Sequence, residues 1–214
     1  MHAAVDPLLA TILVINFFLL GTSRLRAMIN GSAAQGIVLG LLTVLVHGHL
    51  TVQTGLVALG AIVGKTIVIP TLLHRAMREV AIRREVEPLI GFMPSMLLGG
   101  VGTGLALVFA RTLPLAPQHT GSLLIPTSLA TVLAGFILLC TRRKAITQVV
   151  GYLILENGIF VMGLCLLDAM PFLVELGALL DLLVGIFVLG IIINHINREF
   201  SSLDTARLSA LKEE

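Results

Sequence analysis

Residues 121–168 read GSLLIPTSLATVLAGFILLCTRRKAITQVVGYLILENGIFVMGLCLLD. Two apolar runs, 121–141 and 146–168, flank a short segment that contains Arg142, Arg143 and Lys144. Each run is close to the roughly 20 residues that an α-helix needs to cross the hydrocarbon of a bilayer. Lipid offers the backbone no hydrogen-bonding partners, so such runs must form helices or a closed barrel. The runs lack the alternating polarity of barrel strands, and they therefore predict two membrane-spanning helices joined by a basic loop.

The same pattern extends along the whole chain of 214 residues. Hydrophobic residues make up 57% of it and charged residues 12%, and the mean hydropathy is +1.02. Soluble domains carry about a quarter charged residues, so the composition predicts an all-α, polytopic membrane protein. The sequence contains no basic patch interleaved with aromatic residues, so we expect no nucleic-acid partner. We expect about seven spans, at residues 6–22, 28–47, 51–74, 88–110, 121–141, 146–168 and 171–195.

The basic residues predict the orientation of these spans. Twelve of the fourteen lysines and arginines follow the first, third, fifth and seventh spans, whereas the opposite loops hold only Arg111. Because cytoplasmic loops are enriched in basic residues, we expect the N-terminus outside and the C-terminus in the cytoplasm. The polar tail 197–214 is then expected on the cytoplasmic surface or against a partner subunit.

Several features of the spans indicate ordinary helix packing. Small residues let membrane helices approach closely, and amide side chains often form hydrogen bonds between helices. Asn16 and Gln35 are therefore interpreted as interhelical hydrogen-bonding residues. A glycine cluster in the fourth span is interpreted as a site of close helix approach; it contains Gly99, Gly100, Gly102 and Gly104.

Four ionisable residues within the spans are the candidate functional residues: Lys65, Glu156, Asp181 and, nearer the outer surface, Glu175. A charge at the bilayer centre costs on the order of 2.5–3.5 kcal/mol, and such residues commonly mark ion or proton pathways. Counting along the helices places Glu156 roughly 15 Å and Asp181 roughly 18 Å above the cytoplasmic surface. Burial favours the neutral form of a carboxyl, which suits a proton relay.

Each of these residues also has a structural interpretation. The acids can be neutral or lysine-paired groups that hold helices together, and Glu175 can be interfacial. Lys65 can extend its ammonium group toward the cytoplasm or serve as the cationic partner of one of the acids. The histidines and both cysteines lack the spacing of metal ligands, so we expect no metal site, no cofactor and no catalytic residue in this chain.

The stretches RRKAITQVVGYLILENGIF (Arg142 to Phe160) and PFLVELGALLDLLVGIFVLGIIINHI (Pro171 to Ile196) resemble hydrogenase-4 component E. The segment VGKTIVIP (Val63 to Pro70) and the tail string LDTARLSALKE are similar to the same family, whose members are membrane subunits of formate-hydrogenlyase-type and other group-4 hydrogenase complexes. The last three spans of that family are related to the K subunit of complex I and the C subunit of Mrp-type antiporters. By position, Glu156 matches the first mid-membrane glutamate of the K subunit, and Asp181 matches the second with aspartate in its place.

The resemblance implies a domain organisation and a role. Residues 1–141 form an N-terminal five-helix part, residues 142–196 form with helix 121–141 a three-helix unit like the K subunit, and 197–214 form the tail. The chain is then a non-redox subunit of a complex in the cytoplasmic membrane of a bacterium or an archaeon. Its partners are large antiporter-like subunits and a membrane anchor near the peripheral hydrogenase arm, and NiFe and Fe–S centres belong to partner subunits only. In this role Glu156 and Asp181 exchange protons, or Na⁺ is the ion moved, and the Lys65 charge influences their protonation.

Two other functions are compatible with the sequence. A stand-alone small secondary transporter is one, although no inverted repeat and no matched pair of broken spans supports it. A purely structural assembly subunit of the same complex is the other. The two alternatives for the subunit can be told apart by substitution. If it is purely structural, neutral substitutions at Glu156 and Asp181 leave the coupled activity of the complex intact.

Overall fold

A computed structural model describes residues 2–46, 59, 63–79, 86–113, 122–166 and 177. The regular elements in this part of the chain are all helical, and isolated bridge residues occur between them, for example the pair Pro88 and Arg142. One turn, Gly64–Val68, is π-helical and leads directly into α3. The α-helices are α1 (His2–Gly21), α2 (Leu25–Val46), α3 (Ile69–Glu79), α4 (Phe92–Thr112), α5 (Leu124–Thr141) and α6 (Ala145–Leu166).

Five of the described helices are long and apolar enough to cross a membrane. They correspond to five of the seven predicted spans, which confirms the all-α prediction for this part of the chain. Of the predicted third span only residues 59 and 63–74 are described, and the seventh lies outside the described residues apart from residue 177. The number of seven spans and the orientation stay predictions. The five apolar helices are Ala4–Gly21, Leu25–Val46, Phe92–Thr112, Leu124–Thr141 and Ile146–Cys165.

Two clusters of buried apolar side chains show that α1, α2, α5 and α6 run alternately up and down. One cluster joins the end of α1, the start of α2, α3, the end of α5 and the start of α6. The other joins the start of α1, the end of α2, the start of α5 and the end of α6. The α1–α2 and α5–α6 loops therefore lie at the same end of the bundle. We call this the basic end, because these loops carry Arg24, Arg142, Arg143 and Lys144.

Glycines bring α5 and α6 into backbone contact. A Cβ atom added at Gly158 of α6 would lie 2.6 Å from the backbone nitrogen of Val132, and one at Gly151 would lie 2.7 Å from that of Leu139. Gly135 of α5 faces the backbone of Leu155 in the same way. Side chains at these positions would force the helices apart, so the glycines permit this close packing.

The glycine cluster of α4 packs less closely than these. Gly99 faces the Leu20 side chain of α1, and Gly102 faces the Leu133 side chain of α5. A Cβ atom added at Gly100 would lie 3.9 Å from the Phe17 ring, and among the described residues no atom lies within 4 Å of a Cβ atom added at Gly104. The predicted close approach is thus confirmed for Gly99 and Gly102, against side chains rather than backbone, and stays a prediction for Gly104.

Candidate functional site

A buried ion pair joins Lys65 and Glu156. The Lys65 ammonium nitrogen lies 3.1 Å from Oε1 of Glu156, and the two side chains are only 16% and 3% exposed. The same ammonium lies 5.5 Å from the centre of the Phe160 ring, which is one helical turn beyond Glu156 on α6. Lys65 therefore has both a carboxylate and an aromatic ring face available to it, and both attract a cation.

The π-helical turn that carries Lys65 has a local cause. The Ile69 N–H donates to the Gly64 carbonyl, five residues earlier, as the wider turn requires. Pro70 follows directly; it has no N–H to donate, and its ring crowds the carbonyl four residues before it. A wider turn accommodates this proline. Such single π turns inside helices are frequently found at functional sites.

Gly36 of α2 allows the π-helical turn to approach the bundle. A Cβ atom added at Gly36 would lie 3.2 Å from Oγ1 of Thr66 and 3.4 Å from Cβ of Lys65. The first separation is shorter than ordinary van der Waals contact, and the second is at its lower limit. A larger residue at position 36 would therefore displace the turn, and with it the lysine that faces Glu156.

A chain of amide side chains continues from the ion pair across the bundle. Lys65 donates to Oδ1 of Asn157 over 3.3 Å, and Nδ2 of Asn157 donates to Oε1 of Gln35 over 3.1 Å. Nε2 of Gln35 then donates to Oδ1 of Asn16 over 2.9 Å. All three amide residues are buried. The interpretation of Asn16 and Gln35 as interhelical hydrogen-bonding residues is therefore confirmed.

The polar chain ends at two threonines of α5. Nδ2 of Asn16 donates to Oγ1 of Thr131 over 2.8 Å, and Thr131 donates to the Thr127 carbonyl over 2.6 Å. Every amide in the chain accepts from one neighbour and donates to the next, so the hydrogen bonds share one direction. Amides do not titrate near neutral pH, so Glu156 and Lys65 are the ionisable residues of this set. Asn157 accepts a hydrogen bond from Lys65 and is itself held in place by Gln35.

Several known proteins are similar in sequence to most of this chain. "Uncharacterized protein Rv0085" of Mycobacterium tuberculosis is 34% identical to the chain over 195 residues, which cover 88% of the chain and 87% of that protein. The chain belongs to the same family as this mycobacterial protein. Hydrogenase-4 component E of Escherichia coli and of Shigella flexneri is 28% identical over 156 residues, or 71% of the chain and 70% of those proteins. No family model and no solved structure matches the chain.

These relatives and the apolar helices together indicate a multi-pass membrane protein that is distantly similar to a hydrogenase-4 subunit. The structure brings two of the four candidate residues into contact, Lys65 and Glu156. Asp181 and Glu175 lie outside the described residues. Among the residues that the structure describes, no group of three or more histidines, cysteines or acids is placed to hold a metal ion.

Sequence reasoning missed a second buried polar site at the basic end. Arg142 was expected to be one of the loop cations, yet its side chain is fully buried. Its guanidinium donates to the Leu20 carbonyl over 2.9 Å and to Oγ of Ser95 over 3.4 Å, and lies 5.2 Å from the centre of the Phe92 ring. Burial lowers the pKa of this guanidinium from its usual value. No signal in the basic triplet distinguishes Arg142 from its exposed neighbour Arg143.

Residues 86–89, which precede α4, are bonded to the loops around Arg142. The Val86 N–H donates to the Ser23 carbonyl over 2.8 Å, and the Leu89 N–H donates to the Thr141 carbonyl over 2.7 Å. Glu87 also pairs with Lys144 at 3.3 Å. These bonds join three connections of the bundle at one end. Arg142 therefore acts as a structural tie between α1, α4 and the α5–α6 loop.

Proposed function

We propose that this chain is a non-redox membrane subunit of a complex I-related, hydrogenase-4-type complex, and that Glu156 carries protons through it. The observation that carries the proposal is the buried Lys65–Glu156 pair, with its chain of amide side chains on three helices that ends at the threonines of α5. The similarity to hydrogenase-4 component E supports the kind of complex. The contacts of Lys65 support the role of Glu156.

The surroundings of Lys65 suit a carboxyl that changes its protonation state. When Glu156 is ionised, the ammonium lies 3.1 Å from it and compensates its charge. When Glu156 is protonated, Lys65 keeps two further interactions, with Oδ1 of Asn157 and with the ring of Phe160. Neither state then leaves a buried cation without a partner, which is the costly situation in a membrane. Glu156 can therefore take up and release a proton without disrupting the bundle.

Redox chemistry in partner subunits can drive this change through electrostatics. A charge that moves near one titratable group changes the protonation of that group. The change alters the protonation of the neighbouring titratable group in turn, because interacting sites titrate together. In the proposed complex, Asp181 is the second carboxyl of such a series. Residues 121–196 form the three-helix unit that carries both acids, and the basic end faces the cytoplasm. Na⁺ in place of H⁺ is a variant of the same mechanism.

Proton uptake by the assembled complex tests the role of the acids. Glu156→Gln and Asp181→Asn keep the size of each side chain and remove its proton exchange. We expect each to lower redox-driven proton uptake into inverted membrane vesicles, and the double variant to abolish it, in complexes that assemble normally. Glu87→Gln is the matched control, because Glu87 is an exposed acid paired with a lysine. Full proton uptake in the assembled double variant would instead favour the structural assembly subunit.

Purification of the tagged native protein in mild detergent tests the complex itself. We expect mass spectrometry to find antiporter-like and NiFe hydrogenase-like subunits in a fixed ratio with this chain. Recovery of the chain alone, in a detergent that preserves known complexes of the same membrane, would contradict the proposal. That result would favour a stand-alone small secondary transporter.

A further inference from the structure

A polar cleft of about 600 Å³ opens at the basic end between α2 and α3. Arg26 and Asn30 line it from α2, and Thr71, His74 and Arg75 line it from α3. None of these described lining residues is acidic. The cleft therefore presents two guanidinium groups and the amide nitrogen of Asn30 as hydrogen-bond donors, while the Thr71 hydroxyl donates to the Ile67 carbonyl and His74 contacts Asn30.

The helical spacing directs these side chains toward the same cleft. Arg26 and Asn30 are four residues apart on α2, and Thr71 and Arg75 are four residues apart on α3, so each pair shares a helix face. Nε2 of His74 lies 2.9 Å from Oδ1 of Asn30, which ties the two helices together across the cleft.

The opposite face of α3 is apolar and anchored in the bundle. Ile69, Leu73 and Met77 are buried in the cluster at the basic end. The helix is thus amphipathic, and its polar face lies next to the first turn of α2, where a membrane-spanning helix begins. The first turn of a helix that crosses the hydrocarbon lies close to the level of the lipid headgroups.

We propose that this cleft binds a phosphate group, supplied by the headgroup of an anionic phospholipid. Arginine recognises phosphate through paired N–H donors, and basic pockets between membrane helices on the cytoplasmic side bind anionic lipid headgroups. The same chemistry would accept a soluble phosphate compound, but the position beside the apolar spans favours a lipid. The site goes beyond the proposed ion path, since it involves neither Lys65 nor Glu156.

Native mass spectrometry of the delipidated full chain tests this proposal, with phosphatidylglycerol as the probe and phosphatidylcholine as the net-neutral comparison. We expect one saturable site for phosphatidylglycerol. Loss of one basic residue that contacts the bound anionic headgroup weakens lipid binding roughly fivefold, so Arg26→Gln with Arg75→Gln weakens it about thirtyfold. The double variant Arg111→Gln with Arg143→Gln removes the same charge from exposed positions elsewhere and is expected to bind as the wild type does.

The remaining outcomes separate the source of the phosphate from the existence of the site. Binding of millimolar inorganic phosphate that displaces the lipid and requires Arg26 and Arg75 would support the site with a soluble ligand as its source. Equal lipid affinity in the wild type and the Arg26/Arg75 variant, or no preference for phosphatidylglycerol, would overturn the proposal. If the double variant does not fold, each single variant is titrated with phosphatidylglycerol instead. A loss of lipid affinity below twofold in both single variants would also overturn the proposal.

Discussion

Removal of the Lys65 charge is expected to destabilise the bundle more than removal of the Glu156 charge. At 3.1 Å the attraction between the two charges is about 5 kcal/mol for an effective dielectric constant of about 20. Part of this attraction offsets the cost of desolvating both groups, and breaking a buried pair from one side costs about 3–5 kcal/mol. Lys65→Met leaves a carboxyl that is 3% exposed and must either stay charged without a partner or take up a proton at neutral pH. Because both cost free energy, we expect a loss of about 3 kcal/mol in the free energy of unfolding.

Glu156→Gln is expected to cost less, about 1–2 kcal/mol, because Lys65 retains Asn157 and Phe160. The double variant Lys65→Met with Glu156→Gln contains no unpaired charge at this site. Its loss is expected to be close to that of Glu156→Gln alone, which gives a coupling energy of about 3 kcal/mol between the two residues.

Unfolding of the purified chain by sodium dodecyl sulfate in mixed micelles, followed by far-ultraviolet circular dichroism, measures each term of this cycle. The Glu87–Lys144 pair is the matched control, because its geometry is similar at 3.3 Å while Glu87 is 54% exposed. Lys144 is only 15% exposed, so solvent reaches this pair from the Glu87 side, and pairs that are open to solvent couple by about 0.2–1 kcal/mol. A coupling energy for Lys65 and Glu156 no greater than that of the control pair would refute the reasoning, since burial would then have no effect on the interaction.

Three further substitutions test the packing and the polar contacts in the same unfolding assay. Gly135→Ala is expected to cost about 1–3 kcal/mol, because the new methyl group meets the backbone of α6. The methyl group of Gly104→Ala meets no described neighbour, so this substitution is expected to be neutral or slightly stabilising. Similar effects at both positions would contradict the packing argument. Arg142→Gln is expected to cost about 2–3 kcal/mol through its lost charged hydrogen bonds, against less than about 0.5 kcal/mol for the exposed Arg143→Gln. Gln35→Leu removes two interhelical hydrogen bonds of about 0.6 kcal/mol each, so a loss near 1 kcal/mol is expected, and no loss would mean that the polar chain adds nothing to stability.

Much of the helical architecture is predictable from the sequence because its cause is local. A run of about 20 apolar residues must satisfy its backbone hydrogen bonds within itself when it lies in lipid. Five of the predicted spans correspond to described helices for this reason. The candidate residues Lys65 and Glu156 are likewise identifiable from the sequence, because a charge within an apolar span is costly wherever the span packs.

The closest packing was less predictable than the spans themselves. The four glycines of α4 form the most prominent glycine cluster in the sequence, yet the backbone contacts occur at the isolated glycines of α5 and α6. A glycine permits close approach but does not select a partner. That choice depends on which helix face the rest of the bundle leaves available.

Only the tertiary structure decided which groups meet. Lys65 and Glu156 are 91 positions apart, and the sequence alone left open whether Lys65 extends toward the cytoplasm or pairs with an acid. The π-helical turn at Pro70 and the small Gly36 facing it direct Lys65 toward α6. The burial of Arg142 was also beyond the sequence, since its neighbours in the chain are exposed or half-buried loop residues. Hydropathy depends on each segment by itself, whereas pairing and burial depend on contacts among helices that are distant in the chain.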